Sequence, residues 1–216
     1  MFTGLIESTG RVTSIAGAVD KRITVETELA PRLRIGDSVA VNGVCLTAVQ
    51  VRDHSFSADL LQETLRRTTF ANMSADTIVN IELPMAAGAP MGGHVVQGHV
   101  DGVARIVMLE PEISGADASA SSWRFGLQLP NELLPYVVLK GSITVDGISL
   151  TIAALRDDIV EISLIPHTYA MTNIRRLRIG DHVNIETDAL ARYAQRLLQR
   201  KQQTPITLGK LVEEGY

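Results

Sequence analysis

Residues 41–49 read VNGVCLTAV, and residues 145–153 read VDGISLTIA. Asn42-Gly43 and Asp146-Gly147 are pairs that accept the positive φ of a two-residue turn, and each is flanked by alternating apolar residues, so each phrase spells a β-hairpin. Alternation sorts the second strand of each hairpin into two faces. Val44, Leu46 and Ala48 oppose Cys45, Thr47 and Val49, just as Ile148, Leu150 and Ile152 oppose Ser149, Thr151 and Ala153. The large aliphatics belong inside a core. The other face keeps a small polar pair, Cys45 with Thr47 and Ser149 with Thr151, where a solvated face more often carries Lys, Glu or Arg. Such a face suits the floor of a pocket for a flat polar ligand. The alternative is that Ser and Thr simply suit strands and that Cys45 is a small core residue.

The two phrases belong to a longer duplication. Residues 35–84 fall on 139–188 at a constant offset of 104, with Arg52-Asp53 on Arg156-Asp157, Thr64 on Thr168, and VNIE at 79–82 on VNIE at 183–186. Upstream the offset is 94, which sets Gly4, Glu7 and Arg11 against Gly98, Asp101 and Arg105. The difference of ten implies an insertion in the second copy, placed in EPEISGADASASSW at 110–123. A period near one hundred residues means two small domains, each with its own core. Their expected bounds are 1–97 and 98–188, with PMAAGAPMGGHV as the crossover. Short strands with regular turn signals argue for closed antiparallel barrels, which leave no open edge. From Asp188 the pattern changes: Leu190, Tyr193, Ala194, Leu197 and Leu198 form one stripe of an amphipathic helix in the tail 189–216. It either packs on the barrels or joins chains together.

Composition narrows the function. A net charge of −4 and an aromatic content of 4% disfavour nucleic acid as a partner. Cys45 is the lone cysteine, so neither a disulfide framework nor a Cys-rich zinc site can form. With no signal-peptide pattern and no apolar run of about 20 residues, a soluble, cytoplasmic protein off the membrane is expected. His94 and His99, five apart, fall on opposite strand faces and make no metal pair. His99 aligns with Leu5, so the copies differ in a titratable group; a structural role and a general acid–base role both stay open for it. The glycines match neither a dinucleotide fingerprint nor a phosphate-binding loop.

In this order and spacing, MFTGLIE, SVAVNGVCLT, GGHVVQGHVDG, KGSITVDGISLTI and SLIPHT resemble the riboflavin synthase family with two lumazine-binding repeats. The resemblance covers nearly the whole chain. It implies an all-β fold of two tandem six-stranded Greek-key barrels with a C-terminal α-helix that holds a homotrimer. It also implies a cofactor-free dismutation, in which one 6,7-dimethyl-8-ribityllumazine gives a four-carbon unit to another. The products are riboflavin and 5-amino-6-(D-ribitylamino)uracil. Two substrates would meet between the first barrel of one subunit and the second barrel of its neighbour, and association with lumazine synthase is left open. A non-catalytic antenna protein of the same fold is the alternative; it would keep one good pocket and degrade the other, whereas both polar pairs survive here.

Carried over by motif, the first half-site takes Gly4, Leu5 and Ile6 with Cys45, Leu46 and Thr47, then Asp59, Leu60, Leu61, Gln62, Glu63 and Thr64, with Phe2 packed nearby. The second takes Gly98, His99 and Val100 with Lys140, Ser149, Leu150 and Thr151, then Ser163, Leu164, Ile165, Pro166, His167 and Thr168. Chemistry is expected of Cys45, His99, Ser149 and Thr151, and Asp146 and Asp188 match acidic positions of the family. Lys140 and Asp188 also have plain readings, as a solvated charge and a helix N-cap.

Overall fold

The computed structural model describes residues 1–17, 21–113 and 121–202. Both hairpins form as the turn residues require. β3 (Ser38–Val41) and β4 (Val44–Arg52) flank Asn42 and Gly43 at φ 44° and 76°, and β9 (Ser142–Val145) and β10 (Ile148–Arg156) flank Asp146 and Gly147 at 44° and 83°. Along β4, Val44, Leu46 and Ala48 are buried, while Cys45 is half-buried and Thr47 exposed; β10 repeats this with Ser149 and Thr151. The alternation therefore puts the polar pairs on the outer face of each hairpin.

The first barrel is completed by β1 (Ser8–Ala16), β2 (Lys21–Glu26), β5 (Ser55–Leu60) and β6 (Ile78–Glu82). It closes antiparallel in the order β1-β2-β5-β4-β3-β6. β7 (Gly102–Pro111), β8 (Trp123–Gln128), β11 (Ile159–Leu164) and β12 (His182–Thr187) join β9 and β10 in a second closed barrel of the same order. The non-consecutive neighbours β2-β5 and β3-β6 give the Greek-key path. Bulges fall at matching places, between Val12 and Ser14 and between Ile106 and Met108, where the strands must bend to close the barrel. Each barrel buries its own core, around Phe56 and Phe70 in the first and Phe125 and Ile162 in the second. The longer β7–β8 connection accommodates the insertion, whose residues 114–120 lie outside the described set.

A local dyad relates the two barrels. Gly43 and Gly147 meet backbone to backbone, so closely that a Cβ on Gly43 would stand 2.7 Å from Gly147 N. Asn80 Nδ2 donates to Asp146 O at 2.9 Å, and Asn184 Nδ2 donates to Asn42 O at 2.9 Å. Phe2 and Val96, equivalent at the offset of 94, pair antiparallel through N–H···O bonds of 2.8 and 3.1 Å. The last element is α3 (Ala189–Gln202), whose Leu190, Tyr193, Leu197 and Leu198 are all exposed. Asp188 caps it, accepting from Leu190 N at 2.9 Å.

Candidate active site

The outer faces of β4 and β10 each receive a segment from elsewhere in the chain. Cys45 N–H donates to Gly98 O at 2.9 Å, and Ser149 N–H donates to Gly4 O at 2.8 Å. Both glycines have φ 76° and no room for a side chain: a Cβ on Gly98 would lie 2.6 Å from Cys45 Cβ, and one on Gly4 2.6 Å from Ser149 Cβ. Ile6 packs on the second core and Val100 on the first. This corrects the expected grouping. Gly4, Leu5 and Ile6 serve the second barrel with Ser149, Leu150 and Thr151, while Gly98, His99 and Val100 serve the first with Cys45, Leu46 and Thr47. The segments are exchanged across the dyad.

Two carboxylates absent from the sequence reading hold the exchanged segments. Glu82, at the end of β6, accepts from Thr3 N, Thr3 Oγ1 and Gly4 N at 2.6, 2.7 and 3.0 Å. Glu186, its equivalent on β12, accepts from Gln97 N, Gly98 N and His99 N at 2.8, 2.9 and 3.1 Å. Burial pushes both carboxyls above their usual range, and the backbone N–H groups oppose that push. The signal was the identical VNIE: a polar residue repeated in kind at the end of a strand, and buried in both copies.

A second omission is His94. Its Nδ1 lies 2.7 Å from Ser149 Oγ and its Nε2 3.1 Å from Thr144 Oγ1. Burial holds the imidazole below its usual range, with Asp188 pulling the other way. Gly93 passes directly over the serine, where a Cβ would sit 3.2 Å from Ser149 Oγ. The end of the expected crossover is thus a wall of the second site. Phe2 is 1% exposed and clusters with Ala40, Val96 and Cys45.

The remaining expected residues divide. Leu60 and Leu164 are core residues at the strand ends, and the neighbouring Leu61 and Ile165 stand exposed. Gln62, Glu63 and Thr64 open α1 (Gln62–Arg67), and Pro166, His167 and Thr168 open α2 (Pro166–Met171). Glu63 pairs with Arg67 and Arg66, which hold its carboxyl below the usual range; Asp59 is lowered likewise by Arg22. Ser163 and the turn residue Lys140 are exposed. Asp146 was expected to match an acidic position of the site. It is 2% exposed at the barrel junction, where Oδ1 accepts from Asn184 N and Oδ2 from Asn173 Nδ2, both at 2.8 Å. Burial raises its pKa to about 7. Both carboxylate oxygens are taken up within the second repeat, and only its backbone O reaches across the junction, accepting from Asn80 Nδ2, so the contacts the structure shows for Asp146 are structural ones.

Two equivalent platforms, each an outer hairpin face roofed by an exchanged glycine segment, define a protein of two paired barrels with matching candidate sites. The family model described as lumazine binding domain matches residues 3–84 and again 97–188. The riboflavin synthase of Bacillus amyloliquefaciens is 40% identical over 222 residues, covering all of both chains. That of Mycobacterium tuberculosis (strain H37Rv) is 41% identical over 206 residues, 92% of this chain and 98% of the relative. The chain belongs to the riboflavin synthase family. Among solved structures, LumP complexed with 6,7-dimethyl-8-(1'-D-ribityl) lumazine superposes with a TM-score of 0.76 at 24% identity, covering 87% of this chain and 99% of that one. That likeness is one of fold.

Proposed function

We infer that the protein is a transferase that dismutates two molecules of 6,7-dimethyl-8-ribityllumazine into riboflavin and 5-amino-6-(D-ribitylamino)uracil. The observation that carries this is the pair of platforms, both intact, in a chain that matches riboflavin synthases from end to end. A reaction between two identical molecules needs two similar sites face to face. An antenna needs only one. Within one chain, Thr47 and Thr151 leave the platforms open, flanked by the exposed Leu61 and Ile165. Each platform therefore needs a cover, which a neighbouring subunit's opposite platform would supply; the exposed apolar stripe of α3 supports a homotrimer that brings them together. Among the described residues no helix is long and apolar enough to cross a membrane, and the lone, unpaired cysteine suits a reducing cytoplasm.

The test is to incubate the purified protein with the lumazine and follow both products. One riboflavin for every two lumazines consumed is expected. Tight binding of the lumazine with no riboflavin formed would instead identify an antenna.

A further inference from the structure

The two platforms are not wired alike. Ser149 Oγ touches His94 Nδ1, and the far nitrogen of that ring touches Thr144 Oγ1 on the adjoining strand β9. Cys45, the equivalent of Ser149 at the offset of 104, packs instead with Phe2, Ala40 and Val96. A serine hydroxyl moves a proton near neutral pH only with a base beside it. Ser149 has one, and the contact is enforced: Gly93 and Gly4 press on the serine from above, and Thr144 lies opposite Ser149 in the β9–β10 register.

Building on the activity proposed above, we propose that His94 is the positioning residue that makes Ser149 the proton acceptor, so that the substrate methyl is deprotonated in the second repeat. A neutral imidazole carries one N–H. With that hydrogen on Nε2 and donated to Thr144 Oγ1, the Nδ1 lone pair faces the serine hydroxyl. As the methyl C–H bond on carbon 7 of the lumazine breaks, its proton passes to Ser149 Oγ while the serine proton passes to His94 Nδ1. The electron pair stays on the ligand as a carbanion delocalised into its rings, and the product on the protein is an imidazolium held by Thr144. The charged groups around this ring are few. Asp188 acts on it from the start of α3, while Glu186 lies opposite Thr144 in register with its carboxylate taken up by Gln97, Gly98 and His99. Glu82 is likewise engaged with Thr3 and Gly4.

The experiment measures riboflavin formation against pH for the wild-type chain, His94→Asn and Thr144→Val, with riboflavin binding and thermal melting alongside. Deprotonation needs the neutral ring, so wild-type kcat should rise with pH along an acidic limb. His94→Asn keeps a hydrogen-bonding group near the position of Nδ1 but cannot titrate. It should lower kcat on the order of 100-fold, abolish the acidic limb and leave KM within about twofold. Thr144→Val removes the acceptor that favours the imidazolium, so its limb should move to lower pH. A His94→Asn enzyme with unchanged kcat, or with lowered kcat and the acidic limb still in place, overturns the proposal. Should that variant fail to fold, an unmoved limb in Thr144→Val overturns it instead. A wild-type chain that binds lumazine without making riboflavin would defeat the activity itself, an outcome separate from these.

Discussion

The residues that matter most to site geometry touch no reacting atom. Glu186 fixes three consecutive backbone N–H groups and so sets where Gly98 and His99 sit against Cys45; Glu82 does the same for Thr3 and Gly4 against Ser149. Glu186→Gln keeps the shape but turns an NH2 towards backbone donors, forfeiting charge-assisted bonds and costing about 2 kcal/mol. In a calorimetric titration with riboflavin, Glu186→Gln should weaken the first-repeat binding event at least about tenfold and spare the second. Glu82→Gln should do the converse, and lowered melting temperatures with both binding events intact would refute the assignment. Asp146 makes a different prediction. Its folded pKa, about 7, lies above the 3.8 usual for an aspartate, so between those pH values the folded chain keeps a proton that the unfolded chain releases. Its contribution to stability is therefore greatest below pH 4 and falls as pH rises to about 7. Asn42 already fills the equivalent place in the first repeat. Asp146→Asn should gain on wild type steadily across that window and run parallel outside it, whatever constant offset the altered bond to Asn173 adds. Denaturant melts at a series of pH values would show it.

At the scale of elements, the hairpins were legible in the sequence because their causes are local. A turn pair with positive φ and a period of two are properties of neighbouring residues, and the same signals appear twice. The exchange of segments was not legible. The offset of 94 shows that Gly4 and Gly98 are equivalent, but equivalence is preserved whether each segment stays with its own barrel or crosses to the other. Only the hydrogen bonds from Cys45 N to Gly98 O and from Ser149 N to Gly4 O decide it. The role of His94 was hidden for a related reason, since its contact with Ser149 joins residues 55 apart in the chain. The exchange has a consequence for an isolated first repeat. A fragment of residues 1–97 retains Cys45 but lacks the Gly98–Val100 segment, and it carries a Gly4–Ile6 segment with no second barrel to receive it. Two such fragments satisfy each other, the arm of each replacing the missing segment on the other. The fragment should therefore sediment as a dimer and bind riboflavin as one. A monomer that binds riboflavin would show that the arm is dispensable.

For the whole molecule, the proposed function asks how two platforms on one chain would come to face partners on another. Within a subunit the local dyad passes through Gly43–Gly147 and Phe2–Val96, so it joins the barrels through their turns and arms. That leaves both platforms uncovered. α3 has no counterpart after the first barrel and is the element that breaks the internal symmetry. Leu190 and Tyr193 are 74% and 69% exposed, and Leu197 and Leu198 are also mostly exposed, a continuous apolar stripe of the kind that marks an interface. The helix is also tied to its own barrel, because Arg192 bonds Asp101 at 2.9 Å and Gln97 Oε1 at 2.8 Å. An interface built on α3 is thereby coupled to the arm that roofs Cys45. Truncation after Asp188 should leave both barrels folded, since neither core draws on the helix. It should nevertheless abolish the proposed trimer and lower turnover far more than riboflavin affinity, because each platform would survive but lose its opposite. Sedimentation and turnover on the same preparation test this together. A truncated chain that stays trimeric, or a monomer that still turns over at the wild-type rate, would mean that the facing platforms are assembled by something other than α3.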